Sequence, residues 1–490
     1  MELVQDPKIN KVYCLGRRDD PFAAILDAMK RKMLMSTMDT NDANINANAT
    51  NTLQLLKDKI VALKASTSKD IDDNTNANAN DTEVLSIETE TNDENEKKRI
   101  LKEMRQNVAL IIHIAWPVNF QIPLRSFEEH IKGLHDLIQF SLDVEMPDPA
   151  VLMFCSSIST AMGEGNSNSN SDNNSTIIIP EKPIPNDDLK LTMDMGYARS
   201  KLVGEKLVSA ARSSYNARAF TLRIGQVSGH SHHGLWNDTE MIPLIVRSAL
   251  TVGALPDLGS DVLCSWLPVD QLALVIIEIG MARLNNSSNS NRKRKRESTD
   301  TDTDTDNNTR KRKIESTDSG TDNNTKDEGK DESKDEGKDE GKDEAKDEDR
   351  DESKDEPKNE PKDKQEDKQQ DKNEDDTIYN ISNPNTFTWQ KFLTILQSQN
   401  LKFETKTLQE WLHLLQKSEQ RGEEHTNPAI KLIDHYHHHQ HSLNFNGRNW
   451  RMEMSRSLRD SETLRSVGEV GIVSNGVVLR YVRDWLERWT

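Results

Sequence analysis

The sequence predicts an α/β fold built on a parallel, doubly wound sheet, and three observations predict it. Apolar runs recur without polar alternation, as strands covered on both faces require: Val108-Ala-Leu-Ile-Ile-His-Ile-Ala, Val151-Leu-Met-Phe-Cys and Ala219-Phe-Thr-Leu-Arg-Ile. Each is followed by a stretch of helical spacing, and strand–helix alternation points to a parallel sheet. Setting three polar inserts aside leaves about 320 residues, which suits one large domain or a domain with an appendage.

Taken in order, Val12-Tyr-Cys-Leu reads as a short strand and PFAAILDAMKRKML, from Pro21, as a helix. After the run at 108–115, Phe127, Ile131, Leu134, Leu137 and Ile138 recur at helical spacing. A strand at 151–155, a helix around 196–212, a strand at 219–224 and a helix from Pro243 continue the alternation. Two further stripes, one carrying Leu408, Trp411, Leu412 and Leu415 and one carrying Val478, Val482, Trp485, Leu486 and Trp489, predict core-facing helices in a smaller, mainly helical C-terminal region. The predicted organisation is a sheet domain over 1–283, a low-complexity insert over 284–377, and a C-terminal region of the same domain over 378–490. The sheet domain carries polar inserts at about 36–98 and 163–176.

Apolar residues make up 33% of the 490, below the roughly 45–50% of an ordinary globular chain. The deficit belongs to the inserts. Residues 326–361 are nine consecutive tetrapeptides of the KDEG type, whose like charges recur at i and i+4 and which offer nothing to bury. This tract is expected to be solvated and disordered, and it supplies much of the net charge of −19, so the acidic balance says little about partners of the folded part. No apolar span is long enough for a transmembrane helix, and the N-terminus does not read as a signal peptide, so the expected site of action is the cytoplasm. Cys14, Cys155 and Cys264 read as buried thiols, and no metal site is expected. The histidines at 437–439 and 441 read as the polar end of a helix, and His113 as a packed strand residue. Basic clusters at 292–296 and 310–313 allow nuclear import. Their Asp-rich flanks and lack of aromatic residues argue against nucleic-acid binding.

Tyr197-Ala-Arg-Ser-Lys201 is the first candidate for chemistry. A spacing of four puts phenol and amine on one helix face, where an ammonium favours the phenolate and fits the phenol to donate a proton. Without context the same pair is an ordinary surface helix. Ser156-Ser157 ends an apolar strand, where ligands of doubly wound sheets sit and where a hydroxyl can steady a developing oxyanion; the plainer reading is a turn cap. Arg17-Arg18 follows another strand, the place at which dinucleotide folds accommodate a 2′-phosphate; the plainer reading is loop charge.

The strings IIHIAWPVNF (111–120), SFEEHIKGLHDLI (126–138), FCSSIS (154–159), MGYARSKLVGEKL (195–207), LRIGQVSG (222–229), GLWNDTEMIP (234–243), SWLPVD (265–270) and NPAIKLIDHY (427–436) together resemble the thioester reductase domain of the extended short-chain dehydrogenase/reductases. Carboxylic acid reductases, aminoadipate reductases and fungal nonribosomal-peptide-synthetase-like enzymes carry such domains. The resemblance implies a Rossmann-type sheet and NADPH-dependent reduction of an acyl thioester, held on a carrier protein's phosphopantetheine arm, to an aldehyde, in some members onward to an alcohol. It also implies roles. Tyr197 would donate the proton, Lys201 would hold the nicotinamide ribose, and Ser157 would bond the substrate carbonyl. Arg17 and Arg18 would meet the adenosine phosphate, and Ala115, Gly225 and Gln226 would line the cofactor site.

The chain departs from that pattern at its start. The family opens with a strand and a Gly-rich turn that admits the pyrophosphate, whereas the first 132 residues here hold one glycine, Gly16. The expectation is therefore a sheet lacking its first strand and Gly-rich loop, with NADPH binding in question. Ile114 also stands where the family has Asn. Three readings stay open: a working NADPH-dependent reductase, a catalytically impaired remnant, and a nuclear or nucleic-acid-binding protein acting through its basic clusters.

Overall fold

A computed structural model describes residues 2–31, 52–65, 87–88, 93–163, 176–260, 262–301, 377–439 and 450–489. Strands β1 (Val12–Gly16), β2 (Ile60–Ala65) and β3 (Ile87–Glu88) form one sheet, with β2 parallel to β1 and antiparallel to β3. Strands β4 (Leu110–His113), β5 (Val151–Ser157), β6 (Ala219–Ile224) and β7 (Ile378–Ile381) form the second, parallel throughout, in the order β7-β6-β5-β4.

The second sheet is doubly wound, and β5 shows why its sequence is apolar without alternation. Leu152 and Phe154 face helices α3 (Glu128–Leu142) and α4 (Gly196–Tyr215) in a core with Leu134, Ile138 and Val208. Val151, Met153 and Cys155 face the opposite way, against Leu272, Val275, Ile276 and Ile279 of helix α6 (Val269–Thr301). Full burial of each of these aliphatic and aromatic side chains contributes roughly 1.5–3 kcal/mol. Glycine sets how closely α4 approaches the sheet: a Cβ on Gly204 would stand 2.5 Å from the Phe154 ring. Helix α4 ends on Asn216, which takes the left-handed conformation (φ 55°) that asparagine tolerates.

Of the remaining helices, α1 (Pro21–Arg31) packs on the first sheet, α2 (Glu94–Asn107) precedes β4, and α5 is Met241–Thr251. The two C-terminal stripes form α7 (Leu408–Gln420) and α8 (Val477–Trp489). Trp411, Leu412, Leu415, Val478, Val482 and Trp485 are all buried in one core with α5. Residues 2–289 and 377–489 lie in one compact unit, and the end of α6 beyond them lies in another.

Three boundaries differ from expectation. The polar insert at 36–98 contains β2, because Ile60–Leu63 pairs residue by residue with Val12–Leu15 and its Leu63 is buried; β3 and the first turns of α2 fall within it too. The insert expected from 284 begins inside α6, whose backbone continues to Thr301. The C-terminal region is not merely helical, since β7 is the fourth strand of the main sheet, fully buried beside β6. The tetrapeptides, the insert at 164–175, the basic cluster at 310–313 and the side chains of 292–296 and of His437–His439 lie outside the described residues, as does His441. No helix among the described residues is long and apolar enough to cross a membrane, and none of their His, Cys, Asp and Glu side chains group as a metal site would require.

Candidate functional site

The carboxyl ends of β4, β5 and β6 lie side by side, with His113 opposite Phe154 and Ser157 opposite Ile224 in the ladder. Ser157 closes β5 and caps the short helical turn Ile158–Ala161, accepting from the Ser159 amide at 3.3 Å and the Ser159 hydroxyl at 3.0 Å. Behind it sits a buried ion pair. Glu205, 4% exposed, meets the guanidinium of Arg223, 0% exposed, at 2.7 Å. Glu205 also accepts from Ser156 Oγ at 2.6 Å and Thr160 Oγ1 at 2.9 Å. Its lone pairs are thus filled, which a buried carboxylate requires, and the turn carrying Ser157 is bolted to α4.

Tyr197 stands in the first turn of α4, with the Ser157 hydroxyl as its polar neighbour. Burial raises the phenol's pKa and Ser157 opposes that rise, so the group is a neutral proton donor at neutral pH. Phe120 (5.1 Å) and Phe127 (6.4 Å) set their rings edge-on to it. The approach of residues 120–125 is allowed by Gly196, whose Cβ would stand 2.2 Å from the Ile122 carbonyl oxygen.

Lys201 lies one turn along, 3% exposed, and donates from Nζ to the Cys155 carbonyl at 2.6 Å. Burial lowers its pKa to about 7, with Cys155 and Glu205 pulling the other way. His113 packs on Phe154 and Trp116. Its Nε2 has no hydrogen-bond partner, and burial, followed by the Lys201 charge, takes its pKa down to about 4. That matches the expected packed, neutral histidine.

Of the residues the sequence singled out, Ser157, Tyr197 and Lys201 converge. Ala115 follows β4 and is exposed; Gly225 follows β6, bonding the Ile381 carbonyl at 2.8 Å, and Gln226 turns its amide to the Val227 carbonyl. Arg17 and Arg18 stand exposed at the end of β1, and Arg17 reaches across to His130 of α3 at 2.7 Å. Sequence reasoning did not single out Glu205, Arg223, Phe120 or Trp116 for the site. For Arg223 a signal existed, since it is the one charge in the strand Ala219–Ile224 and a buried charge needs a partner; Glu205, on a helix with Arg199, Lys201, Lys206 and Arg212, gave none.

Residues 87–276 match the family described as male sterility protein, of NAD-binding type. The adenylate-forming reductase Nps10 of Heterobasidion annosum is 30% identical over 276 residues, 56% of this chain and 21% of the relative. The carboxylic acid reductase of Neurospora crassa is 35% identical over 182 residues, 37% and 16% respectively. The chain thus spans about a fifth or less of these relatives' length. Among solved structures, the terminal reductase domain of the myxalamid pathway matches with a TM-score of 0.53 at 16% identity, over 98% of this chain and 84% of that one. The reductase domain of a Mycobacterium tuberculosis nonribosomal peptide synthetase matches with 0.54 at 15%, over 100% and 88%. At such identity the likeness is one of fold.

Proposed function

We propose, for a chain whose residues 87–276 match the male sterility protein family, the reduction of a carrier-bound acyl thioester to an aldehyde with NADPH. The observation that carries the reading is the convergence at the carboxyl end of β5, where the Lys201 amine, bonded to the Cys155 carbonyl at 2.6 Å, stands 6.0 Å from the Tyr197 ring and Ser157 closes the strand.

The residues fit the nicotinamide end of such a cofactor. Two hydroxyls and an amine converge at the carboxyl end of β5, and Gly225 follows the neighbouring strand β6, whose Ile224 pairs with Ser157. For the phosphate end, Arg17 and Arg18 are the cations at the end of β1. When bound, a reduced nicotinamide supplies the hydride. The chain's part is to receive the charge. Ser157 Oγ and Tyr197 Oη bond the substrate carbonyl oxygen, and the neutral Tyr197 phenol gives that oxygen its proton as negative charge develops; the resulting thiohemiacetal breaks its C–S bond, the hydroxyl proton returning by way of Tyr197 to the departing pantetheine sulfur, which leaves as the thiol and frees the aldehyde. Lys201, titrating near neutrality, is poised to favour the phenolate that remains. The apolar segment 118–124, with Val118 72% exposed and Leu124 37% exposed, gives an acyl chain a surface to lie on at the mouth of the site. The partner delivering the thioester is, on this reading, a phosphopantetheinylated carrier protein.

One observation favours a second reading, a domain of impaired turnover: the scarcity of glycine before Gly133 leaves no Gly-rich phosphate turn in that stretch. Calorimetric titration with NADPH, followed by aldehyde detection with an acyl-pantetheine thioester, separates the two. Saturable binding with aldehyde formed supports the reductase; no heat at high cofactor and no aldehyde supports the remnant.

A further inference from the structure

Between Tyr197 and Lys201 lies Ser200, wholly buried. Its hydroxyl donates to the Tyr197 carbonyl at 2.7 Å and accepts the indole N–H of Trp116 at 3.1 Å. Trp116 arrives from the segment after β4 and presents its ring face 4.5 Å from Lys201 Nζ. The Phe154 ring stands 5.0 Å from the same nitrogen, and the Cys155 carbonyl accepts its proton. The amine is thus enclosed by two aromatic faces and one carbonyl. The indole that forms one wall is tied by its N–H to the very turn that carries both Tyr197 and Lys201.

We propose that Trp116 is a positioning residue for Lys201: anchored on Ser200, its indole closes the compartment around the amine and fixes where that amine stands relative to Tyr197. An aromatic face attracts a cation, while shelter from water disfavours it. Here shelter wins, since burial is the largest influence on Lys201. The titratable groups facing the amine are Cys155 of β5 and Glu205 of α4, which favour its charged form, and His113 of β4 and His130 of α3, each of which feels Lys201 as a like charge. Arg17 of β1 lies beyond His130. The enclosure stands independently of the reaction assigned to the site; only its catalytic consequence rests on the thioester-reductase reading.

The test uses the full chain labelled with ¹³C at the lysine ε-carbons, the Lys201 resonance being the one missing in K201R. In the wild type it is expected to lie upfield, displaced by the indole ring current, and to titrate with a midpoint near 7. W116F keeps a ring without the N–H and is expected to retain part of the displacement. W116A is expected to lose most of it, the Phe154 ring remaining, with the midpoint rising towards 10.5 as water enters. S200A leaves the indole and removes only its anchor, so an intermediate displacement is expected. Should W116A fail to fold by circular dichroism, W116F and S200A carry the test. A Lys201 resonance that is undisplaced in the wild type, or that none of the variants moves, overturns the proposal whatever the activity. With NADPH and an acyl-pantetheine thioester, kcat of W116A is expected to fall by about 10- to 100-fold with KM for NADPH little changed, and W116F to recover most of it. A displaced resonance with unmoved kcat overturns the positioning role. A wild type that does not turn over removes the reductase reading and leaves the enclosure to be decided by the resonance alone.

Discussion

The two sheets of this chain are built from the same kind of strand and behave differently. Every residue of β5 but the last is buried, and polar groups at its end are locked by the Glu205–Arg223 pair. All of β1 is only half-buried, and its flanking charges pair in the open: Lys64 of β2 meets Asp19 and Glu88 on an exposed surface, and Lys11 meets Glu103 beside it. The difference shows where chemistry can be placed. A hydroxyl or amine keeps an unusual pKa only where water is excluded and its supports are fixed, and the main sheet offers that at its carboxyl edge. The small sheet offers charge without shelter, and its one reach into the site is Arg17 to His130.

Five perturbations break or sharpen this contrast. The largest effect is expected from Tyr197→Phe, which removes the proton donor and leaves the ring: a loss of about 10²- to 10⁴-fold in kcat for aldehyde formation, with the fold intact by circular dichroism. Next, Glu205→Ala strands Arg223 in the core and is expected to cost about 3–5 kcal/mol in urea unfolding. Lys64→Ala, its counterpart in the small sheet, is expected to leave the urea midpoint unchanged, because that pair is screened by solvent. Equal losses in the two variants would erase the distinction drawn between the sheets.

The pH dependence of stability separates buried bases from buried phenols by sign, and phenols at both sheets, Tyr13 as well as Tyr197 and Tyr379, fall in the second class. His113 and Lys201 have folded pKa values below their ordinary ones, so the unfolded chain holds more protons from about 4 to 6.5 and again from about 7 to 10.5, and stability is expected to rise with pH through both windows. K201M should flatten the upper rise and H113N the lower. Tyr13 of β1 is the opposite case. Burial, followed by its bond to Glu103, pushes its pKa up to about 12, so above pH 10 the unfolded chain ionises first and stability falls. Urea melts across the pH range in wild type, K201M and Y13F check each step. A local effect is expected from Arg17→Ala. Burial is the first cause holding His130 below its ordinary pKa and Arg17 the second, so the His130 midpoint should move up in an NMR titration.

How much of this was legible in the sequence follows the same division. The strands at 110–113, 151–157 and 219–224 announce themselves as unbroken apolar runs because both of their faces are covered. The convergence of Ser157, Tyr197 and Lys201 follows from a strand end and a four-residue helical spacing. Strand β2 was hidden because a five-residue island in Asn- and Thr-rich surroundings carries too little apolar signal to outweigh its context. Strand β7, with Tyr and Asn among its four residues, was hidden because Asn380 is buried only by virtue of bonds to the Ile179 and Glu453 carbonyls, far off in sequence. The bond from Trp116 to Ser200 depends on how α4 lies against the segment after β4, which no local pattern encodes.

Pairing of β7 with β6 has a consequence for biosynthesis. Ile378 sits opposite Thr221, so roughly 150 residues must leave the ribosome after β6 before its neighbour exists. Throughout that interval the Ala219–Ile224 edge is a bare template for any passing strand, and nascent chains should depend on chaperones until translation has passed Ile381.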